Sequence, residues 1–303
     1  MDNALIILRQ IGIMFFYLAI GCLLFRFDLL TKEGSRSLAN LLIYISLPCA
    51  IIQSFCISDG PEIRQALLPS LFLGALLLLL SMAISAVLFR QEPLQNFGAA
   101  FSNAGFMGIP LISASLGEQA VFFSAGFTAM LNILQWTYGQ RLLSRQKTKR
   151  PWKALLNPLM VGFLIGLALF FSRAALPSAV LSCLSALSGL NAPLAMITVG
   201  AYLAQTDFHD MIFTARNYWV CAVRLVLIPL MSIVLLSLFS GVSVSLRYAL
   251  LIAACAPIGA NVAVYAQRLN GNYTYAVQLV CLSTLLSIVT MPLIMGLAGV
   301  LWA

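Results

Sequence analysis

The sequence predicts an all-α integral membrane protein of ten transmembrane helices, arranged as two inverted five-helix repeats whose fourth and ninth helices are interrupted. Three observations carry this. Of 303 residues, 61% are hydrophobic and only 9% are charged, against roughly 25% charged in a soluble domain. Apolar windows longer than about 18 residues, the length that crosses a bilayer as a helix, recur along the whole chain. Prolines and glycines also interrupt corresponding helices of the two halves. So little charge could not keep a soluble surface wet, which excludes a soluble enzyme, a nucleic-acid binder and a disordered chain.

Taken in order, the expected spans are 4–25, 37–56, 66–89, 97–116, 119–143, 155–172, 179–204, 217–239, 247–267 and 273–301. The first lacks a basic start and a small-residue cleavage site, so it reads as a retained helix and not a signal peptide. The loop 144–153 carries Arg145, Lys147, Lys149, Arg150 and Lys153, with Arg141 just before it. Such a cluster is retained in the cytoplasm. Alternating from that anchor puts Arg26, Lys32, Arg36, Arg90, Arg216 and Arg268 on the same side, twelve cations in all, against Arg9, Arg64, Arg173 and Arg247 outside. The bias predicts both termini outside a multi-pass cell-membrane protein. The net charge of +8 is thus a topology signal and not a nucleic-acid footprint.

The basic loop divides the chain into 1–143 and 154–303. The second helix of each half carries a proline, Pro48 and Pro193. The fourth is rich in breakers, Gly105, Gly108 and Pro110 in one half, Pro257 and Gly259 in the other. Five spans per half is an odd number, so homologous halves enter the membrane from opposite sides. Paired interrupted helices in inverted halves are the sequence pointer to a carrier's binding site.

A helix broken in hydrocarbon leaves N–H and C=O groups that need partners or a polar cavity. In the run 102–110, Ser-Asn-Ala-Gly-Phe-Met-Gly-Ile-Pro, Asn103 is placed to cap a downstream half-helix. Gly105 there permits close backbone approach. In the run 255–261, Cys-Ala-Pro-Ile-Gly-Ala-Asn, Pro257 suits the first position of a new half-helix. Two half-helix N-termini meeting in the membrane favour a small anion, most naturally a carboxylate.

The chain also resembles the auxin efflux carrier family, which includes the plant PIN exporters and compact bacterial carriers. The resemblance rests on Asn103 to Pro110, on Asn132 four residues before Trp136 with Gly139 following, and on Asn157 to Gly162. It extends to Ala192 to Gly200, Arg224 to Pro229 and Cys281 to Pro292. It implies a scaffold of helices one, two, six and seven, and a transport domain of helices three to five and eight to ten in which helices four and nine cross. It implies, further, elevator-like movement and homodimerisation through the scaffold. By position, Asn103 matches the polar residue of the first crossover and Pro257 its counterpart in the second. Ile258 stands where related carriers use a polar residue, and Asn261, one turn along, is placed to compensate.

None of the nine Asp and Glu falls within an expected span, which disfavours coupling through intramembrane carboxylates. His209, the single histidine, falls in a loop. Arg224 is the one clear intramembrane charge. It reads either as a substrate-attracting cation or as a structural partner for backbone carbonyls. Further polar candidates are Ser46, Gln53, Asn132, Gln135 and Asn191. Gly162 and Gly166 read as a packing face, and the seven cysteines as small packing residues. Asn272 opens a glycosylation-type triplet on the predicted cytoplasmic side. No catalytic, cofactor or metal motif is present.

The expected function is secondary transport of small organic anions, auxin-like or short mono- and dicarboxylates, by alternating access. The candidate site residues are Ser46, Asn103, Gly105, Asn132, Arg224, Pro257, Ile258, Gly259 and Asn261. A passive uniporter or channel, or a membrane receptor built on a carrier fold, are the alternatives.

Overall fold

The computed structural model describes residues 2–57, 61–144, 158–174, 176–268 and 271–302. Among them the chain is helical, without strands, save for one isolated antiparallel bridge between Ser102 and Ile258. The elements are α1 (Asp2–Arg26), α2 (32–57), α3 (Pro61–Leu88), α4 (Pro93–Ala100), α5 (Ala104–Leu116) and α6 (121–144). They continue with α7 (Pro158–Ser172), α8 (Ser178–Ala204), the short α9 (Phe208–Phe213), α10 (Ala215–Ser237), α11 (Val244–Cys255), α12 (Asn261–Arg268) and α13 (Tyr273–Trp302).

Six of these, within α1, α2, α3, α8, α10 and α13, are long and apolar enough to cross a membrane. Large apolar side chains such as Phe16, Leu68, Phe72, Val87, Leu293 and Val300 are exposed on them, a surface that suits lipid and not water. The protein is a multi-pass membrane protein. The basic loop 145–153, on which the expected division into halves turns, lies outside the described residues.

Three prolines explain three of the four places where the helices widen among the described residues; the fourth, Gln135–Gly139 of α6, has no proline in the turn after it. A proline inside a helix clashes with the carbonyl four residues before it. For Pro48, Pro110 and Pro229 that carbonyl belongs to Tyr44, Phe106 and Leu225. Each of these sits in a five-residue π-helical stretch, Leu42–Ser46, Ala104–Gly108 and Val223–Leu227. One extra residue in the turn moves the carbonyl out of the ring's way.

Small residues set the closest helix packing, as expected where lipid supplies no hydrophobic drive between helices. Gly162 and Gly166 of α7 face α2: a Cβ on Gly162 would lie 2.9 Å from Pro48 Cα, and one on Gly166 2.6 Å from Phe55 Cδ2. Phe55 anchors a cluster of edge-on rings with Phe122, Phe163 and Phe170. α1 lies along the second half of α8, where a Cβ on Gly21 would meet Ile197 Cα at 2.7 Å. There the Cys22 thiol donates to the Gly200 carbonyl at 3.0 Å. All seven cysteines are free.

Around this group α3 packs on α4, α6, α10 and α11, while α13 packs on α10, α11 and α12. Asn272 caps α13, its side-chain oxygen accepting from Tyr275 N–H at 3.0 Å. His209 stands exposed on α9, its N–H donating to the capping Asp207 carboxylate.

Candidate functional site

α4 ends at Ala100 and α5 begins at Ala104; α11 ends at Cys255 and α12 begins at Asn261. The two connections run antiparallel and bond to each other. Asn103 N–H donates to the Pro257 carbonyl at 2.7 Å, and Gly259 N–H donates to the Phe101 carbonyl at 3.0 Å. Pro257 stops α11 because it has no N–H to give, and Ala256 before it takes the extended conformation (φ −56, ψ 149) that a following proline imposes. Gly259 is needed for the approach, since a Cβ there would stand 3.0 Å from the Ser102 carbonyl oxygen and 3.3 Å from that of Phe101.

Several other backbone groups at the breaks find partners on neighbouring helices, as burial in an apolar interior favours. Arg224 of α10 does most of it. Its Nε donates to the Ala256 carbonyl at 3.1 Å, and its Nη1 to the Ala99 carbonyl at 3.1 Å and to Ser81 Oγ at 3.4 Å. Ser81 in turn donates to the Ala100 carbonyl. One cation therefore closes the C-terminal ends of both α4 and α11, where helix dipoles favour positive charge. Ile258 N–H donates to Ser283 Oγ of α13 at 3.1 Å.

A cavity of about 330 Å³ opens beside the paired breaks, near the lower end of the range for small-molecule sites, about 300–1,000 Å³. Its floor is Ser102, Asn103, Gly105 and Phe106 from the first break, with Gly259, Asn261, Ala263 and Tyr265 from the second. Leu131 and Asn132 of α6 and Leu47 of α2 close its sides. Lys32, Arg36 and Asn40 of α2, Tyr202 of α8 and Tyr273 of α13 form its mouth. The N-terminal ends of both α5 and α12 thus border one space, although Val262 and Ala263 N–H of α12 already donate to the Gly259 and Ala260 carbonyls at 3.1 Å.

Two donors on residues that line this space lack partners. Asn103 is 4% exposed and its Nδ2 bonds to nothing, and the Ser102 hydroxyl, 2% exposed, is likewise unpaired. A buried unsatisfied donor costs about 1–3 kcal/mol, so these two atoms are the polar groups of the lining whose cost is not yet offset. Two further polar side chains of the lining are engaged: Asn132 Nδ2 donates to the Thr128 carbonyl at 2.8 Å, and Asn261 Nδ2 to Gln135 Oε1 at 2.8 Å.

Of the residues picked from the sequence, the structure brings together Asn103, Gly105, Asn132, Gly259 and Asn261. The other four stand apart from the cavity. Ser46 is buried and donates to the Leu187 carbonyl at 2.9 Å. Arg224 is 1% exposed and spent on carbonyls. Ile258 is fully buried beside Gly98 of α4, and Pro257 lends only its carbonyl.

Two local expectations need correction. The Asn103 side chain caps no helix. Its own carbonyl accepts from both Met107 and Gly108 N–H, at 3.0 and 3.1 Å, as the widened first turn allows. Pro257 does not open the second half-helix, because the bridge uses 257–259 first and Asn261 opens it. The Trp136 side chain of the α6 motif lies outside the described residues.

Lys32, Arg36 and the three tyrosines were not singled out as site residues. Lys32 and Arg36 counted only as topology markers, yet with Asn40 they fall four apart, one face of a helix, and that spacing was the available signal. Lys32 Nζ rests over the Tyr273 ring, 5.5 Å from its centroid.

Known proteins similar to this chain are membrane transporters. A curated relative, an uncharacterized transporter of the archaeon Methanocaldococcus jannaschii, is 28% identical over 195 residues, 59% of this chain. The match spans 63% of that relative's length. A family model described as membrane transport protein matches residues 6–150 and 143–295, nearly the whole sequence. The chain belongs to that membrane transport protein family, the auxin efflux carriers.

Proposed function

We propose that the protein is a secondary transporter of small organic anions, which bind as carboxylates where the two interrupted helices meet. The unpaired Asn103 amide, buried at the start of α5 beside the Ser102 hydroxyl, is the observation that carries this reading. A carboxylate supplies the acceptors these donors lack, and helix N-termini favour negative charge. Lys32 and Arg36 at the mouth attract anions from the water phase. Tyr202, Tyr265 and Tyr273 give the cavity aromatic walls, which suits aromatic as well as short aliphatic acids.

The chain would span the cell membrane ten times as two inverted halves, with both termini outside and the Lys32 end in the cytoplasm. α1, α2, α7 and α8 form the scaffold and the dimer contact in this reading; α3 to α6 and α10 to α13 form the moving domain, with the interrupted helices crossing. Movement is supported by a second, smaller cavity further along the same groove between α2 and α5. The two spaces are separated by about one helical turn, through Leu47 and Ala50 on one side and Phe106 and Ile109 on the other. Sliding α5 past α2 by a turn or more would transfer the Asn103 site from one opening to the other.

The test is reconstitution into liposomes with labelled mono- and dicarboxylates, with and without imposed ion and voltage gradients. Uptake above empty liposomes that is lost in Asn103→Ala supports the reading. Wild-type uptake in that variant, or no uptake of any anion, overturns it.

A further inference from the structure

The second cavity has a chemistry opposite to the first. It encloses about 180 Å³, room for a small ion and a few waters at about 30 Å³ each. Among the described residues that line it there is no Lys or Arg, but there is a carboxylate, Glu118. Glu118 follows Gly117, whose φ of +90 ends α5. Glu118 is exposed, and one of its carboxylate oxygens accepts from Gln53 Nε2 of α2 at 2.9 Å. Asn191, at the bend of α8, lines the same space. It is 3% exposed, and both its Oδ1 and its Nδ2 are without partners. Ser54, Ser113, Ser188 and Gln10 are the other polar residues of the lining.

A buried amide with neither end satisfied is costly, and an anion would meet the Glu118 charge. Oxygen ligands gathered about one carboxylate suit a hard cation. We propose that Glu118, Gln53 and Asn191 form a binding site for a small alkali cation, sodium or potassium. The site lies between α2 and α8 on one side and the α5–α6 turn on the other. A cation held there would bridge the two groups of helices that the anion-transport reading sets in relative motion. That gives the protein an ion-sensing contact despite having no carboxylate within an expected span.

The test is thermal unfolding of purified protein in detergent, with sodium, potassium or choline chloride at constant ionic strength and no organic anion. We expect the midpoint to rise with sodium or potassium and not with choline. Glu118→Gln should flatten the response, and Asn191→Ala should move it to concentrations about 10-fold higher or more. Gln53→Ala removes the hydrogen bond to Glu118 and one neutral oxygen but keeps the carboxylate, so it should weaken the response without abolishing it. Identical midpoints in the three salts overturn the proposal. So does a response that survives Glu118→Gln, or one abolished by Gln53→Ala yet untouched by Asn191→Ala. None of these readouts depends on anion transport.

Discussion

The main-chain N–H of Asn103 donates to the Pro257 carbonyl across 2.7 Å, tying together two helix breaks that are 154 residues apart in sequence. That single bond fixes the height of the Asn103 side chain relative to the start of α12, and so fixes the floor of the larger cavity. The backbone half of Asn103 is structural, while its side chain is unspent.

This division sets the first prediction. Asn103→Ala keeps the backbone bond and removes a buried donor that has no partner. Its melting temperature should equal or exceed that of the wild type, since an unsatisfied buried group costs about 1–3 kcal/mol. Anion uptake should fall at least ~10-fold if one charge-assisted hydrogen bond is lost. A destabilised variant would show that the amide has a partner in the folded protein.

Arg224 should behave in the opposite way. Arg224→Met strands the carbonyls of Ala99 and Ala256, and each buried acceptor left without a partner costs about 1–3 kcal/mol. The expected result is loss of monodisperse protein or a large drop in melting temperature. Arg224→Lys should fall between, because one ammonium cannot serve both carbonyls with a planar fork. A stable Arg224→Met that is selectively impaired in anion affinity would instead make the guanidinium a substrate ligand.

The two glycines at the breaks separate cleanly. Gly259→Ala forces a Cβ to 3.0 Å from the Ser102 carbonyl oxygen, against backbone held by the bridge, and should cost about 1–3 kcal/mol. A Cβ on Gly105 meets Leu47 Cδ1 at an ordinary 3.5 Å. Gly105→Ala should therefore keep its melting temperature and lose part of its uptake through a narrowed cavity. Differential scanning fluorimetry beside liposome flux distinguishes the pair.

The mouth cations give a kinetic signature. The double variant Lys32→Ala, Arg36→Ala should raise the apparent KM for anions about 10-fold, with little change in maximal rate. Added salt should reduce the wild type towards the variant, since exposed charges steer ligands over roughly a Debye length. A KM that does not respond to either change would remove these residues from the site.

Much of this was legible in the sequence, and the reasons are physical. Long apolar runs have one stable answer in lipid, so the helices lie close to the expected spans: 66–89 became Pro61–Leu88, and 273–301 became Tyr273–Trp302. The interruptions were legible because proline and glycine act through the backbone wherever they occur. Partnering was not. Whether Arg224 faced a ligand or carbonyls depended on how α10 is rotated against α4 and α11, which no local pattern encodes. Ile258 looked like a defect in a polar site, but its side chain packs on α4 while its backbone makes the bridge. Glu118 read as a loop charge because its partner, Gln53, lies 65 residues away.

The bridge between Phe101–Asn103 and Pro257–Gly259 also dictates when the chain can be finished. At about 5–20 residues per second, the first break leaves the ribosome roughly 8–30 s before its partner exists. Throughout that interval its carbonyls and N–H groups must be shielded by water, by the insertion machinery or by temporary contacts. Arg224, made some thirty residues before Pro257, arrives just ahead of the closing segment and can hold the Ala99 carbonyl until α11 docks. Slowing or truncating synthesis between Arg224 and Gly259 should therefore trap a chain that is inserted but open to proteolysis at its first break.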